Sequence, residues 1–223
     1  MADAPPIEPV PAAAGEIFGA RLPVAEHYVR LLAGAGVVRG VIGPDEGDRI
    51  WTRHVLNSAA VSELFGADLR VVDVGSGAGL PGLALAIRRP DLRVDLVEPL
   101  QRRVEFLTDA VAELGLGTQV RVVRGRAEEG DIISTVGGAD WVTARAVAPL
   151  DRLVRWCLPL AAPTGRLALI KGASAAAELE RHRAVLRRLG VRDARVVSCG
   201  RELLDPPVTV VTIDASGTSR GSG

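Results

Sequence analysis

The stretch "VVDVGSGAGLPG", residues 71–82, decides the fold. A short β-branched run leads into eight residues, of which five are glycine or proline. The run reads as a strand buried on both faces. Glycine at that density marks positive φ or a ligand lying against the main chain. A sheet protein needs no such cluster for folding alone, so the stretch reads as a binding loop.

Downstream of Gly66 the pattern alternates between strands and helices. Strands are predicted over 69–74, 93–97, 119–124, 140–144, 166–171, 194–199 and 208–213, with helices over 80–88, 100–114, 147–161 and 173–189. The first five strands are short and largely apolar, and the alternation predicts right-handed crossovers in a doubly wound, mostly parallel seven-stranded sheet. The last two strands are joined by "GRELLDPP" without a helix, so the final strand should run antiparallel.

Upstream, residues 16–65 form an N-terminal helical segment. Val24, Tyr28, Leu31 and Leu32 recur at helical spacing, and Pro23 sits where a first turn tolerates it. Asp48 is placed to cap a helix through "RIWTRHVLNSAAVSELF". Residues 1–15, rich in Pro and Ala, read as a disordered leader, and 215–223 as a flexible tail. One domain over 16–214 remains, with its α/β core at 66–214.

Composition narrows the function. Lys+Arg and Asp+Glu balance at 27 each, which excludes a strongly basic protein but not a local basic face. Apolar runs end well before the roughly 20 residues a membrane span needs. No charged-then-apolar signal segment opens the chain, so a cytoplasmic protein is expected. Cys157 and Cys199 form no CxxC pair and the three histidines lack ligand spacing, so no metal is expected and both thiols read as reduced and half-buried. Lys171 is the sole lysine among the 27 basic residues; it reads either as a point charge kept for its chemistry or as a chance survivor of arginine-rich codon usage.

At the first strand's end, where such sheets open a crevice for a nucleotide-like ligand, stand Gly75, Gly77 and Gly79. "GAGLPG" matches the dinucleotide fingerprint, a weak signal alone. Its flanks argue against NAD. Asp73 puts a negative charge two residues before the first glycine, which suits a ligand with an ammonium and a sulfonium group. Pro81 removes a phosphate-cradling N–H. Glu98 closes the second strand, where a carboxylate accepts both ribose hydroxyls of an adenosine. "GRAEEG", 125–130, would edge the adenine. S-adenosylmethionine fits better than NAD; a tight turn with surface carboxylates is the plain structural alternative.

In order, "RHVLNS", "DVGSGAGLPG", "GRAEE", "TARAVAPL" and "LALIKG" resemble the ribosomal RNA small subunit methyltransferase G family, also called glucose-inhibited division protein B. The resemblance runs from about Ala25 to Ile213. It implies a class I, Rossmann-like methyltransferase that moves a methyl group from S-adenosylmethionine to ring nitrogen 7 of a guanine in the 530 loop of 16S rRNA. It implies that Gly75 and Leu80 contact the cofactor, that Ala127 and Glu128 flank the adenine, and that Arg145 lies where cofactor and substrate meet. One departure stands at Asn57, where family members often carry Asp.

Ring nitrogen 7 of guanine has a free lone pair and no proton. Its alkylation needs alignment and charge stabilisation rather than a general base. No Asn-Pro-Pro-aromatic signature for an exocyclic amine follows strand four, and "DPPV" at 205–208 reads as a rigid turn. Cys157 falls inside a helical run and reads as a core thiol rather than a nucleophile. Arg53 and His54 either face the cofactor mouth or pack the helical segment on the sheet. Arg102, Arg103, Arg121, Arg124 and Arg126 form either a solvated face or a phosphate stripe. With only seven aromatic residues, phosphate contacts should dominate RNA affinity.

Arg145 and Lys171, at the ends of strands four and five, are expected to rim one crevice, Arg145 ordering cofactor and target and Lys171 meeting an RNA phosphate; otherwise they pair with Asp140 or Asp151. The expected partner is 16S rRNA or the small ribosomal subunit, and the expected state a monomer. Two rivals remain. An NAD-dependent oxidoreductase would need an acid such as a Tyr-Lys pair, yet the only tyrosine is Tyr28. A methyltransferase-fold RNA-binding module would bind without turnover.

Overall fold

The computed structural model describes residues 7–145 and 148–215. Seven strands form one sheet in the order β3-β2-β1-β4-β5-β7-β6. They are β1 (Arg70–Val74), β2 (Arg93–Glu98), β3 (Val120–Arg124), β4 (Ala139–Arg145), β5 (Ala161–Lys171), β6 (Ala194–Cys199) and β7 (Val208–Asp214). The first five pair parallel, and β7 runs antiparallel to both β5 and β6. The expected topology is therefore the observed one, with the strand order reversing between β1 and β4.

Eight α-helices accompany the sheet among the described residues: α1 (Ala12–Phe18), α2 (Leu22–Leu31), α3 (Asn57–Ala60), α4 (Gly82–Arg88), α5 (Gln101–Glu113), α6 (Gly130–Val136), α7 (Leu150–Cys157) and α8 (Ala175–Arg188). Residue alternation along each strand divides the core in two. Val71, Val94, Leu96, Trp141, Ala168 and Ile170 pack under the N-terminal segment, α4 and α5. Val72, Val74, Val142, Leu167 and Leu169 pack under α6, α7 and α8 on the other face.

Three expectations about the backbone change. Part of the presumed disordered leader is structured: α1 starts at Ala12, Ala14 is fully buried, and the Glu8 carboxylate accepts the N–H groups of Trp51 and Thr52. Asp48 caps no helix. It lies within a 3-10 turn, Pro44–Arg49, which passes into a π-helix, Ile50–Leu56, then α3 and a second 3-10 turn, Val61–Leu64. The wider π winding is common at functional sites. Finally, the helix expected over 147–161 is the shorter α7, because Ala161 already belongs to β5 and pairs with Ala139. Residues 146–147, and all of the tail beyond Ala215, lie outside the described residues.

Both cysteines are buried rather than half-buried. Burial pushes the Cys199 thiol up to about 11 and that of Cys157 further, so neither is a nucleophile at neutral pH.

Candidate active site

The site is built where β1 ends. Gly75, Gly77 and Gly79 all take positive φ, at 69°, 58° and 95°. They curl the chain back so that the N–H groups of Gly75 and Ser76 donate to the Val97 carbonyl of β2. A Cβ on Gly77 would meet nothing closer than the Gly75 carbonyl oxygen at 3.8 Å, so this flank of the loop is open. Gly82 is the opposite case: a Cβ there would collide with Leu96 and Asp73. Its bareness lets its N–H donate to Asp73 Oδ2 at 3.0 Å. Sequence reasoning had not singled out Gly82.

Asp73 is fully buried, and burial pushes its carboxyl up to about 7 against the counter-pull of the Gly82 N–H. The Ser76 hydroxyl donates to the backbone carbonyl of Asp73. Asp73 Oδ1 has no hydrogen-bond partner among the described residues, and neither has Thr143 Oγ1. Asp73 and Thr143 are paired residues of β1 and β4, so two orphaned oxygens lie on the same face of adjacent strands. Buried polar atoms without partners are costly, and their presence together marks a place for a donor-rich ligand.

Glu98 is 1% exposed. Its Oε2 accepts the Gly77 N–H at 2.9 Å and its Oε1 the Leu100 N–H at 3.0 Å, and Arg103 lies 3.8 Å away. The second acid is therefore tied directly to the glycine loop. Beside it, the Gly125 N–H donates to the Glu98 carbonyl, which brings the turn containing buried Ala127 and exposed Glu128 to the same strand ends. Leu80, half-buried, closes the loop. Tyr28, fully buried on α2, donates its hydroxyl to the Ala78 carbonyl at 2.8 Å and braces the loop from above. The sequence showed Tyr28 only as part of a helical stripe.

Arg145 and Lys171 do not rim one crevice. The paired residue of Arg145 on β5 is Ile170, so Lys171, one position on, points to the opposite face. Arg145 shares its face with Asp73, Thr143 and Glu98 and reaches into the N-terminal segment. Its guanidinium donates to the carbonyls of Arg53 and His54, to Ser58 Oγ and to His54 Nδ1. Lys171 donates to the Ala148 carbonyl at 3.1 Å and pairs with Glu178 of α8 at 2.9 Å, with only 12% of its side chain exposed.

Neither cation meets Asp140 or Asp151. The former accepts the Arg70 N–H, and the latter faces His182. The exposed Arg53 side chain has no partner among the described residues. Asn57 donates to the Arg53 carbonyl, a bond that an aspartate carboxylate could not make. Of the five arginines that could form a stripe, Arg121 pairs with Asp95 near the start of its strand, away from the crevice, whereas Arg124 stands in register with Glu98 and Arg103 lies 3.8 Å from it.

No group of His, Cys, Asp and Glu among the described residues could hold a metal, and no helix among them is long and apolar enough to cross a membrane. The residues present fit S-adenosylmethionine: an unpartnered acid oxygen for a cation, an open glycine backbone, and a second acid at the end of the neighbouring strand.

Fold and crevice together define a class I methyltransferase that uses S-adenosylmethionine. Solved structures show the same fold at low identity. A putative S-adenosylmethionine-dependent methyltransferase from Methanococcus maripaludis superposes with a TM-score of 0.58 at 14% identity, covering 91% of this chain and 95% of that one. An O-methyltransferase family protein from Burkholderia thailandensis gives 0.58 at 15%, covering 92% and 70%.

The family profile for rRNA small subunit methyltransferase G matches residues 21–206, and this chain belongs to that family. Proteins named ribosomal RNA small subunit methyltransferase G are 57% identical in Mycolicibacterium smegmatis, over 90% of this chain and 85% of theirs, and 58% identical in Salinispora tropica, over 90% and 84%. The NAD-dependent oxidoreductase reading falls with this assignment.

Proposed function

We propose that the protein methylates ring nitrogen 7 of a guanine in the 530 loop of 16S rRNA, as a cytoplasmic monomer acting on the small subunit or its RNA. Asp73, Gly75, Gly77, Gly79, Leu80, Glu98, Ala127 and Glu128 would hold S-adenosylmethionine, which supplies an electrophilic methyl group on sulfur. Asp73 would receive the ammonium group, and Glu98 the ribose hydroxyls with the lone pairs its backbone bonds leave free.

One observation carries the choice of nitrogen 7. With the cofactor in place, no described residue around the crevice would be left to take a proton. Asp73 and Glu98 would be engaged by its ammonium group and ribose hydroxyls, and the His54 Nδ1 lone pair is occupied by Arg145. A ring nitrogen that carries no proton requires only alignment. Arg145 and Arg53 would orient the RNA at the mouth; Lys171, on the other face, has no part in it.

The test is methylation of small subunits lacking this modification, followed by borohydride and aniline treatment of the RNA. Strand scission at one guanine of the 530 loop supports the reading. Methylated product without scission moves the reaction to another atom, and binding without methylation favours the module without turnover.

A further inference from the structure

Arg145 is largely buried at the carboxyl end of β4, yet it forms no ion pair with a carboxylate among the described residues. Its four hydrogen bonds to described residues all go to uncharged acceptors: the Arg53 carbonyl at 2.9 Å, the His54 carbonyl and Ser58 Oγ at 3.1 Å each, and His54 Nδ1 at 2.7 Å. A guanidinium has five donors and no acceptor. His54 Nδ1 must therefore present a lone pair, which places the ring proton on Nε2. That nitrogen lies 2.5 Å from Glu46 Oε2. Glu46 is held in turn by Arg49, at 2.7 Å and 3.1 Å. A continuous chain, Arg49–Glu46–His54–Arg145, thus runs from the surface turn through the π-helix to the end of β4.

We propose that Glu46 and His54 are positioning residues that hold Arg145 correctly aimed at the mouth of the crevice, and that protonation of His54 releases it. This rests on the reading of the site as a methyl-transfer centre. The neutral imidazole leaves the full charge of Arg145 available to an anionic group of the substrate or cofactor. A second ring proton would set an N–H and a positive charge against the guanidinium, breaking the bond to Nδ1.

The charged and titratable groups around the pair are few. Glu46, Arg53 and Arg145 face His54; Tyr28, Arg53, Glu46 and Asp73 face Arg145. Burial and then Arg145 push the imidazole below its ordinary value, while Glu46 pulls it back up. The neutral form consequently prevails at physiological pH, and release belongs to the acid side.

The test has two arms on the intact chain. The first measures kcat and KM for methylation of small subunits from pH 5 to 8 with saturating S-adenosylmethionine, beside calorimetric Kd values for that cofactor. Wild type should lose kcat on the acid side, with an apparent pKa below 6.5. His54→Leu should lower kcat at pH 7.5 about tenfold or more and flatten the acid limb. His54→Gln, which can accept from Arg145 and donate to Glu46, should restore most of kcat while staying flat. Glu46→Gln should move the acid limb to lower pH, since it removes the group that favours the imidazolium. Wild-type kcat and acid limb in folded His54→Leu, or a His54→Gln as impaired as His54→Leu, overturns the proposal.

The second arm needs no turnover. Nitrogen NMR of His54 should show the proton on Nε2, and Arg145→Met should raise the His54 pKa. A proton on Nδ1, or a titration that Arg145→Met leaves unmoved, overturns the proposal. A wild type that fits the NMR expectation yet methylates no subunit overturns the substrate reading instead.

Discussion

Asp73 and Thr143 stand opposite one another in the parallel pairing of β1 and β4, each with a buried side-chain oxygen that no group among the described residues satisfies. Burying both without partners opposes stability, so the site holds its polar groups ready for a ligand at the expense of the ligand-free fold.

Asp73→Asn should separate these two roles. Folding raises the Asp73 carboxyl from 3.8 to about 7. Below pH 4 the acid is protonated in both states and destabilises nothing. Between 4 and 7 the unfolded chain ionises while the folded one resists, and stability falls by on the order of 4 kcal/mol, levelling off above 7. The asparagine variant keeps an acceptor for the Gly82 N–H and escapes this loss. Scanning calorimetry at pH 8 should show a higher Tm than wild type, with the gap closing toward pH 4, while cofactor binding weakens at least tenfold.

Thr143→Val removes an unsatisfied hydroxyl at nearly constant volume. The ligand-free protein should be equally stable or gain up to about 1 kcal/mol in urea denaturation. A loss above that would show that Thr143 has a partner, such as a buried water, in the free protein.

Glu98→Ala should weaken S-adenosylmethionine binding by about 2–4 kcal/mol by calorimetry, the range for losing charge-assisted hydrogen bonds. It also strips the Gly77 N–H of its acceptor, so the glycine loop should show faster amide exchange even without ligand. An unchanged Kd would remove Glu98 from the adenosine site.

Gly77 in the loop and Gly82 at the start of α4 should respond differently to substitution. Gly77→Val meets open space but must hold a β-branched residue at positive φ, so the protein should fold with reduced stability and fail to bind cofactor. Gly82→Ala drives a methyl into Asp73 and Leu96 and should cost at least about 2 kcal/mol of stability. Circular dichroism melts beside cofactor titration distinguish the two.

Lys171→Met should act on the fold rather than on RNA. It strands Glu178, which also accepts the Leu150 N–H at the start of α7, and should cost about 1–3 kcal/mol. Methylation at permissive temperature should keep the wild-type KM for the small subunit and its wild-type salt dependence. A salt slope reduced by about one would return Lys171 to the phosphate contacts.

The local chemistry of the chain was enough to determine its strands, its antiparallel last strand, the glycine loop and the two acids at strand ends, because each rests on short-range periodicity or on conformations only glycine adopts freely. Three matters were settled only by tertiary structure. The 44–64 region carries a helical pattern, but whether it winds as 3-10, π or α depends on what it packs against, here Glu8 and Arg145. Tyr28 meets the glycine loop across 50 residues of sequence, a contact no window along the chain contains. The separation of Arg145 from Lys171 depends on register: a shift of one position between β4 and β5 puts two strand-end cations on opposite faces, one at the crevice and one sealing α8 to the sheet.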